Sequence, residues 1–521
     1  MRRVLFIFSI LCCSHLFLGA TTVVHIADPG TWTYSELSRY KGETIQFDVP
    51  FYVCNNYNGL TISPRRIFQP TNQALPLSAE YNSILSLNNQ GTITLTNVSS
   101  NHRLGERLHN LTVKVNSNTS VSLVSCDWRG NTRADLEKGP DMNAINMRGE
   151  HTLLVCCMNL EYYLVENLGS GSMGPKTREA HQKQRAKVSK ALAKINADLY
   201  GFVEIEQGQS ALAEIAADLT MNTGRNFTYV NDGGSASGTY TKSGFVYCSD
   251  VLEPYGKLHE NNTGVQNRKK TQAFTEKATG EKFLFSVNHF KAKSGSGSGD
   301  NADKGDGQGT YNGDRVKEAR SLLSNYEKDR SFYGDDDILI MGDLNAYAME
   351  DPITVLREGG MIDLHRAFHA DSSYSYVYRG YAGYLDHALC NSTLYPFVTG
   401  MVAYHINSDE SDSYTYDKSN DQTMFRSSDH DPVLVGLRLG NALPEDEDIT
   451  INSFEVYFDK QIPCIKNAKG GHYFVYRVDG HLVKDAYISN QEETVEGLTQ
   501  GIYILNIYGN GRCVQTKLLV P

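Results

Sequence analysis

Basic residues are not in excess in this chain. Among its 521 residues, Lys and Arg number 49 and Asp and Glu number 60, which gives a formal net charge of −11. This balance argues against a general polycation that coats nucleic acid, so any phosphate-binding surface must be local or be supplied by bound divalent cations. Hydrophobic residues make up 40% and charged residues 21% of the chain. Such a composition indicates a folded globular protein, and the length predicts two to four domains.

Long apolar runs are also lacking. The longest candidate, residues 4–18, follows two arginines, and it is shorter than the ~20 apolar residues that a membrane span needs. Small residues at positions 19 and 20 complete a pattern that is typical of a signal peptide. The alternative is an uncleaved anchor. We expect residues 1–20 to be a signal peptide, the mature protein to be secreted or held at the cell surface, and no stable membrane insertion.

Several reactive motifs are absent. Ten cysteines occur, but none forms a Cys-x-x-Cys pair, so neither a zinc site nor a thioredoxin-like motif is indicated. Export permits disulfides, but the sequence does not determine their pairing. Cys156 and Cys157 lie in an apolar run, which predicts buried thiols. A Gly-x-Ser-x-Gly elbow and a P-loop are also absent, so neither a covalent serine mechanism nor a nucleoside-triphosphate site is predicted.

Strand and helix patterns divide the chain into three structured parts. In residues 21–128, short runs rich in Thr, Val and Ile alternate with Asn, Gly and Ser, which predicts a small sandwich or barrel. The polar residues 129–150 predict a linker. In residues 151–440, continuous apolar strands interleave with helices, which indicates helices packed on buried sheets. Beyond an acidic hinge, alternating strands in residues 449–521 predict an antiparallel sandwich. The predicted class is α/β, with small all-β domains at both ends.

Carboxylates, amides and histidines recur at the strand ends of the central part. They occupy residues 158–161, 202–206, 287–291, 342–347, 384–388 and 428–432. Divalent cations held by Asp and Glu neutralise the charge that develops on a phosphoryl group. Histidine transfers protons near neutral pH, and a nearby Asp fixes its tautomer. If these side chains converge on one rim of the sheets, they can serve metal-assisted phosphodiester hydrolysis.

Together these segments resemble the endonuclease/exonuclease/phosphatase family, to which pancreatic deoxyribonuclease-like enzymes belong, and especially its bacterial extracellular nuclease branch. The motifs that carry the resemblance are Gln184-Arg185-Ala186-Lys187, Asn196-Ala197-Asp198, Glu204-Ile205-Glu206, Gly305-Asp306-Gly307-Gln308-Gly309, Gly342-Asp343-Leu344-Asn345-Ala346-Tyr347 and Arg426-Ser427-Ser428-Asp429-His430-Asp431-Pro432. The resemblance covers about residues 151–440 and is specific, because many motifs occur in the same order. It implies a two-layered β-sandwich flanked by helices.

The resemblance implies a metal site. Glu204 would hold the catalytic metal, Mg²⁺ or Mn²⁺, with Asn159 beside it and Asp429 completing its shell. Glu206 is expected to be a solvated neighbour. The Gly-, Ser- and Asp-rich stretch 294–314 does not fit an EF-hand loop, because residues without side-chain oxygens fall on ligand positions. It predicts a flexible loop at the active-site rim, and Ca²⁺ there stays an open alternative.

The resemblance also implies the catalytic groups. Asp343 and Asn345 would position or deprotonate the attacking water and contact the scissile phosphate. His289 and His430, the latter supported by Asp386, would transfer protons or stabilise the phosphoryl oxygens. Which histidine is the acid and which is the base stays open. The carboxylate expected to support His289 has no clear counterpart in residues 238–247.

Basic residues near these groups are candidates for phosphate contact. Lys291 and Lys293 follow His289 directly, which favours substrate binding. Residues 176–194 form a predicted helix with seven Lys and Arg residues. This face could track a phosphate backbone, and a merely solvated face is an equal alternative.

The resemblance extends beyond the central part. Asn56-Tyr57-Asn58 and Phe68-Gln69-Pro70-Thr71-Asn72 look like the small, often oligonucleotide-binding-like β domain that precedes the nuclease in that branch. Gly501-Ile502-Tyr503-Ile504-Leu505 and Lys517-Leu518-Leu519-Val520 look like a type IX secretion sorting domain. They imply an exported protein that engages a secretion machinery.

Three functional hypotheses follow. The first is a secreted nuclease that acts on DNA, with RNA as a further substrate. The second keeps the fold but takes a sphingomyelin-like or inositol-phosphate substrate, although no apolar hairpin stands out as a membrane-inserting element. The third is a binding protein with a degenerate fold. A complete set of metal-binding and proton-transfer residues favours an enzyme, because a binding protein has no use for it.

Overall fold

The computed structural model describes residues 21–57, 59–169, 171, 173–234, 241–260 and 268–440, and residues 455–520 with short gaps. The signal segment 1–20 and the acidic hinge lie outside the described residues, so the expectations for them stay predictions. None of the helices in the described part of the chain is both long and apolar enough to cross a membrane.

The N-terminal part is predominantly β. Its elements are β1 Thr22–Val24, β2 Thr44–Phe47, β3 Phe51–Asn55, β4 Leu60–Ser63, β5 Ile93–Thr96, β6 Arg107–Ser117, β7 Ser120–Arg129, α1 Pro70–Gln73, α2 Ala79–Gln90 and a 3₁₀ helix at Tyr34–Tyr40. β6, β3, β4, β5 and β7 pair in that order, and β7 also pairs with β6, so five strands close into a ring. Buried side chains such as Phe51, Leu108 and Val121 fill it.

Two local features of this part differ from the sequence pattern. The sequence pattern predicts one strand over residues 44–53, but the structure has two, β2 and β3, because Pro50 between them has no N–H for a strand ladder. The helix α2 was not predicted. Ser78 begins it by accepting a hydrogen bond of 3.1 Å from the backbone N–H of Tyr81, which satisfies one of the free donors of its first turn.

The central part contains two six-stranded sheets. Its strands are β8 Leu153–Tyr163, β9 Leu199–Glu206, β10 Phe227–Tyr229, β11 Thr241–Cys248, β12 Leu252–Glu260, β13 Lys269–Glu276, β14 Lys282–Asn288, β15 Ile338–Asp343, β16 Ile362–Asp363, β17 Tyr376–Tyr378, β18 Tyr381–Gly383, β19 Asp386–Cys390, β20 Val398–Ala403 and β21 Val433–Leu437. The sheet orders are β10-β11-β9-β8-β21-β20 and β12-β13-β14-β15-β19-β16, and β17 and β18 form a separate hairpin. Side chains from both sheets share one core, including Val155, Phe285 and Met341.

Helices pack on the two sheets. They are α3 Arg133–Leu136, α4 Met142–Ile145, α5 Arg178–Ile195, α6 Ser210–Thr223, α7 Asn312–Tyr333, α8 Asp351–Glu358 and α9 Leu364–His369, with 3₁₀ helices at Gly299–Asn301, Ala370–Ser372, Tyr395–Phe397 and Asp412–Tyr414. α5 and α6 pack on the first sheet, and α7 and α8 pack on the second. The predicted α/β class is confirmed, with a mixed α/β centre between all-β regions.

Residues 129–150 are more structured than the predicted linker. α3 and α4 lie in this segment, and Ile145 is fully buried. The hydroxyl of Thr399 donates a hydrogen bond of 2.8 Å to the carbonyl of Ile145. Apolar burial and this bond fix the segment on the first sheet, which a polar composition does not reveal.

The C-terminal part consists of two small antiparallel sheets. Its strands are β22 Glu455–Asp459, β23 Ile462–Lys466, β24 His472–Arg477, β25 Leu482–Tyr487, β26 Glu492–Thr494, β27 Gly501–Gly509 and β28 Arg512–Val520, in the orders β22-β23-β26 and β25-β24-β27-β28. Buried Val475 and Leu505 lie in its core. The predicted antiparallel strands are present.

Strand direction brings the polar motifs to one rim. β8 pairs with β9 in parallel, and β14 pairs with β15 in parallel. β19 pairs antiparallel with β15, so its first residue, Asp386, lies opposite Asp343 at the end of β15. β21 pairs antiparallel with β8, which places the segment before β21 beside the end of β8. The motifs at these ends therefore face a common site.

Candidate active site

His430 and Asp386 form a buried pair at this rim. Nδ1 of His430 lies 2.7 Å from Oδ2 of Asp386. The hydroxyl of Ser375 donates a hydrogen bond of 2.7 Å to the same carboxylate oxygen, and it accepts one of 3.2 Å from the backbone N–H of Asp386. The ring of Tyr376 stacks on His430 with centroids 4.5 Å apart. The pair predicted from the motifs is brought together, and Ser375 and Tyr376 are neighbours that the motifs did not reveal.

The surroundings of His430 favour its charged form. Burial alone would lower the pKa of His430, but the carboxylates of Asp386, Asp429 and Asp343 raise it well above its ordinary value. Because Asp386 lies at Nδ1 of His430, the proton on Nε2 points away from Asp386. His430 is thus suited to deliver a proton or to stabilise an anion.

Asp343 is held by hydrogen bonds from two sides. Its Oδ1 accepts from the backbone N–H of Asn345 at 2.8 Å, and its Oδ2 accepts from the side-chain amide of Asn159 at 3.2 Å. Asn345 adopts a left-handed backbone (φ 48°) and donates its own amide to the carbonyl of Phe290 at 3.2 Å. Burial raises the pKa of Asp343 to about 6, although the charge of His430 opposes the rise. Asp343 can therefore exchange a proton near neutral pH.

His289 lies between the carboxylates and is buried. Its Nε2 is 3.6 Å from Oδ2 of Asp343 and 3.7 Å from Oε1 of Glu204. Burial, together with the charges of Arg268 and His430, lowers the pKa of His289 well below its ordinary value. Nδ1 of His289 has no hydrogen-bond partner among the described residues, in keeping with the missing supporting carboxylate. The two histidines thus have opposite pKa shifts.

Three further carboxylates converge beside them. Burial, followed by the charges of Asp429 and Asp343, raises the pKa of Glu204 to about 7. Burial and the charges of Asp429 and Glu204 raise the pKa of Glu161 to about 8. Glu161 ends the segment 158–161, and its left-handed backbone (φ 51°) cannot be read from the sequence. Glu204, Glu161 and Asp429 are called the anionic pocket below.

The anionic pocket fits a hard divalent cation. No group of three or more His, Cys, Asp or Glu side chains within the described residues is arranged to hold a metal by itself. Mg²⁺ does not need such a cage, because it keeps several waters and is usually held by one or two carboxylates together with substrate phosphates. Glu204, with the charges of Glu161 and Asp429 near it and Asn159 on the adjacent strand, supplies that kind of donor set. Burial and then mutual repulsion raise the pKa values of Glu204 and Glu161, and a bound cation would favour their charged forms.

Two arginines adjoin the anionic pocket. The charge of Arg268 lowers the pKa of Glu204, and that of Arg426 lowers the pKa of Glu161. The carbonyl of Arg268 accepts a hydrogen bond of 2.9 Å from the backbone N–H of His289. Arg426 has a left-handed backbone (φ 57°). Arg268 begins the basic run Arg268-Lys269-Lys270, and local sequence does not show that it lies near this site.

Lys291 and Lys293 have different surroundings. The ammonium of Lys291 lies 4.4 Å from the centre of the Tyr311 ring and is half-buried. The ammonium of Lys293 forms an ion pair with buried Glu350 and donates a hydrogen bond of 2.9 Å to the carbonyl of Gln308. Lys293 is thus engaged within the protein and differs from the expected free phosphate contact.

The basic face of α5 is largely engaged as well. Lys187 is fully buried, 3.4 Å from Asp421, and donates a hydrogen bond of 2.8 Å to the carbonyl of Phe425. Arg185 pairs with Asp218 at 2.6 Å. These side chains are neither merely solvated nor free to bind a phosphate backbone, because their charges pair with neighbouring segments.

The expectation that Glu206 is solvated is wrong. Glu206 is 1% exposed and not solvated. Its carboxylate accepts backbone hydrogen bonds from Val165, Glu166 and Asn167 at 2.6–3.1 Å. Glu206 therefore fixes the loop after β8, a role that its distance in sequence from that loop conceals.

Residues 294–314 are tied down more closely than the predicted flexible loop. Asp306 and Gln308 are buried. Oδ1 of Asp306 accepts from the backbone N–H of Gln308 at 3.0 Å, and Oδ2 accepts from its side-chain amide at 3.0 Å. Arg315 donates to the carbonyls of Gln308 and Thr310 at 2.7 and 2.8 Å. The Asp306 carboxylate is thus used by the protein, which does not favour the calcium alternative.

Residues 165–430 match the Endonuclease/Exonuclease/phosphatase family. The matched range includes Glu204, His289, Asp343, Asp386 and His430, and Asn159 precedes it. The chain belongs to this family and carries its phosphoesterase fold. No curated protein matches the chain.

Solved structures match about half of this chain. An endonuclease/exonuclease/phosphatase from Bacteroides vulgatus shares 15% identity, covering 55% of this chain and 98% of that one, with a TM-score of 0.37. A mannosyl-6-phosphatase from Bacteroides thetaiotaomicron shares 15% identity, covering 55% and 99%, with a TM-score of 0.36. D. rerio TDP2 complexed with a single-strand DNA product shares 14% identity, covering 54% and 97%, with a TM-score of 0.35.

Proposed function

We propose that the protein is an exported, metal-dependent phosphodiesterase that hydrolyses extracellular DNA, with RNA as a further substrate. The observation that supports it is the pairing of an anionic pocket with two histidines of opposite pKa shift. Glu204 and Glu161 supply the pocket, and His430 and His289 adjoin it. Groups whose environments push their pKa values apart are suited to acid and base roles.

The proposed chemistry divides the proton transfers between residues. A bound Mg²⁺ or Mn²⁺ would supply charge neutralisation at the phosphate. Asp343, oriented by Asn159 and Asn345, accepts a proton from the attacking water as the new P–O bond forms. His430 donates its proton to the leaving oxygen as the old P–O bond breaks, and Asp386 keeps the ring aimed. Neutral His289 donates a hydrogen bond to a phosphoryl oxygen.

The preference for nucleic acid is supported by the surroundings of the site. Arg268 offers positive charge beside the anionic pocket, and Lys291 follows His289 closely in sequence, so both are candidates for contact with a polyanionic backbone. The closed five-stranded ring of the N-terminal part is compatible with the proposed oligonucleotide-binding-like domain. Secretion and the sorting role of the C-terminal sheets stay part of the proposal.

A substrate panel tests this proposal. Purified protein would be incubated with supercoiled plasmid, linear DNA, RNA and sphingomyelin, in Mg²⁺, Mn²⁺ or chelator. We expect cleavage of the nucleic acids with either metal and no cleavage in chelator. Hydrolysis of sphingomyelin alone would contradict a nucleic-acid substrate and favour the sphingomyelin-like alternative. Cleavage of none of these substrates would favour the binding-protein alternative.

A further inference from the structure

A segment of the N-terminal part packs against the central part. The carbonyl of Ile67 accepts a hydrogen bond of 2.9 Å from the backbone N–H of Ala382, and the backbone N–H of Gln69 donates one of 2.8 Å to the carbonyl of Ala382. Phe68 thereby forms a parallel bridge with Ala382 in β18. Thr71 and Asn72, which follow, are buried. This segment extends the β17–β18 hairpin by one short strand.

Asn72 joins the two ends of that hairpin. It is 0% exposed. Its side-chain amide donates a hydrogen bond of 3.4 Å to the carbonyl of Ser373, and its Oδ1 accepts one of 3.1 Å from the backbone N–H of Tyr384. A carboxamide has both a donor and an acceptor, so one side chain can close both bonds. Residues 373–384 are called the clamped hairpin below.

The clamped hairpin forms a wall of the active site. Ser375 bonds the Asp386 carboxylate through its hydroxyl, and its carbonyl accepts a hydrogen bond of 2.8 Å from the backbone N–H of Asp431. Tyr376 stacks on the ring of His430. Ser375 and Tyr376 therefore contact the catalytic pair and the residue that follows it.

A second buried contact reinforces the same end. Nε2 of His365 lies 2.9 Å from the carbonyl of Asp386, and Nδ1 lies 2.6 Å from the hydroxyl of Ser373. Burial lowers the pKa of His365 well below its ordinary value, so the ring is neutral. Because a carbonyl can only accept, Nε2 carries the proton and Nδ1 accepts from Ser373. The residue that Asn72 clamps is thus linked to the backbone of Asp386.

We propose that Asn72 is a positioning residue for His430, acting through the clamped hairpin. The N-terminal part would then be a component of the catalytic centre and not only an appended binding domain. This inference rests on the proposed phosphoesterase function of His430. It does not depend on which phosphodiester is the natural substrate.

The test compares Asn72→Ala with Asn56→Ala in the full chain. Asn56 is also buried between the two parts, and its amide donates to the carbonyls of His102 and Asp409 at 2.9 and 3.4 Å. Rates are measured on plasmid DNA and on bis(p-nitrophenyl) phosphate at saturating Mg²⁺. We expect Asn72→Ala to lower kcat by about 10- to 100-fold with KM unchanged, because small misplacements of a catalytic group cost that much. Asn56→Ala should keep the wild-type kcat.

A double-mutant comparison separates positioning from general damage. In a His430→Ala background, Asn72→Ala should cause no further loss, because residues that act as one unit are non-additive. A full multiplicative loss, or an equal loss in Asn56→Ala, would overturn the inference. If Asn72→Ala does not fold, as judged by circular dichroism, Asn72→Ser takes its place.

A spectroscopic readout keeps the inference testable apart from the proposed function. ¹⁵N-histidine NMR should show a low-field Nδ1–H proton of His430, bonded to Asp386, in the wild type and in Asn56→Ala. Asn72→Ala should broaden or shift it. An unchanged resonance contradicts the inference even if no substrate is hydrolysed. Hydrolysis of the small diester without plasmid cleavage would instead contradict only the proposed nuclease function.

Discussion

The imidazole of His430 and the carboxylate of Asp386 lie 2.7 Å apart, between Nδ1 and Oδ2, and both residues are buried. His430→Ala removes the proton-transfer group, whereas Asp386→Asn leaves it misaligned or in the wrong tautomer. General acid–base catalysis contributes roughly 10²–10⁴-fold, so we expect losses of about that order for each single variant. The measurement is the initial rate of plasmid cleavage at saturating metal.

The double variant His430→Ala/Asp386→Asn tests whether the two residues act together. Because the two residues act as one unit, it should be little worse than His430→Ala alone. Full multiplication of the two losses would mean that Asp386 and His430 act independently.

Metal affinity should depend on pH through the anionic pocket. A cation competes with protons for the carboxylates, and the pKa values of Glu204 and Glu161 are about 7 and about 8. We therefore expect Mg²⁺ to bind more tightly at pH 8 than at pH 6, with protons released on binding. Calorimetry in buffers of different ionisation enthalpy measures both quantities. Affinity and proton release that do not change between these pH values would argue against binding at Glu204.

Lys291 and Lys293 make a matched pair for substrate contact. Lys291→Ala should reduce the slope of log DNA affinity against log salt concentration by ~0.9 in magnitude, which is the contribution of one phosphate contact on B-DNA. Lys293→Ala should leave that slope unchanged and destabilise the fold by about 3 kcal/mol, because it leaves Glu350 buried without its cation. Fluorescence anisotropy in a Glu204→Gln background avoids cleavage. Equal slopes for Lys291→Ala and its parent would mean that Lys291 does not contact phosphate.

The ion pair of Arg66 with Asp409 joins the N-terminal and central parts at 2.6 Å. Burial alone would raise the pKa of Asp409, but the charges of Arg66, His405 and Arg103 hold it below its ordinary value. A depressed pKa in the folded state means that the stabilisation is complete above the unfolded pKa of about 3.9 and is lost as pH falls through the folded pKa.

Arg66→Ala tests this linkage. It should lower the free energy of unfolding by about 3 kcal/mol at pH 7, and the difference from the wild type should shrink below about pH 3.9. Urea denaturation at pH 7 and in acid measures it. A difference that is the same at both pH values would contradict the linkage.

The candidate catalytic residues could be predicted because local patterns carry them. Asp343, Asn345 and His430 each lie at an apolar strand end, and strand direction then brings such ends to one rim. Where a single motif contains both the functional side chain and the strand that orients it, the sequence is sufficient to identify the residue as a candidate. The α/β class could be predicted from apolar strands interleaved with helices, whereas the two-sheet arrangement was implied by the family resemblance.

Other parts of the site depend on contacts between distant segments. Asn72 lies 312 positions from Tyr384, whose backbone it bonds, and Ser375 lies 11 positions from Asp386. No local pattern reports such pairs. Burial also decided the roles of Glu206 and Lys293, because a charged residue near an active-site motif can be solvated or enclosed. Only the packed structure distinguishes these states.

The most direct test of metal-dependent phosphodiester hydrolysis is plasmid nicking during a Mg²⁺ titration, after removal of metal by chelator. Glu204→Gln keeps the shape of the side chain but removes its charge, and its melting temperature serves as the folding control. We predict that wild-type nicking stops in chelator and returns with Mg²⁺, and that folded Glu204→Gln stays far below the wild type at every Mg²⁺ concentration. Cleavage that continues in excess chelator, or a wild-type rate in Glu204→Gln, would contradict the account.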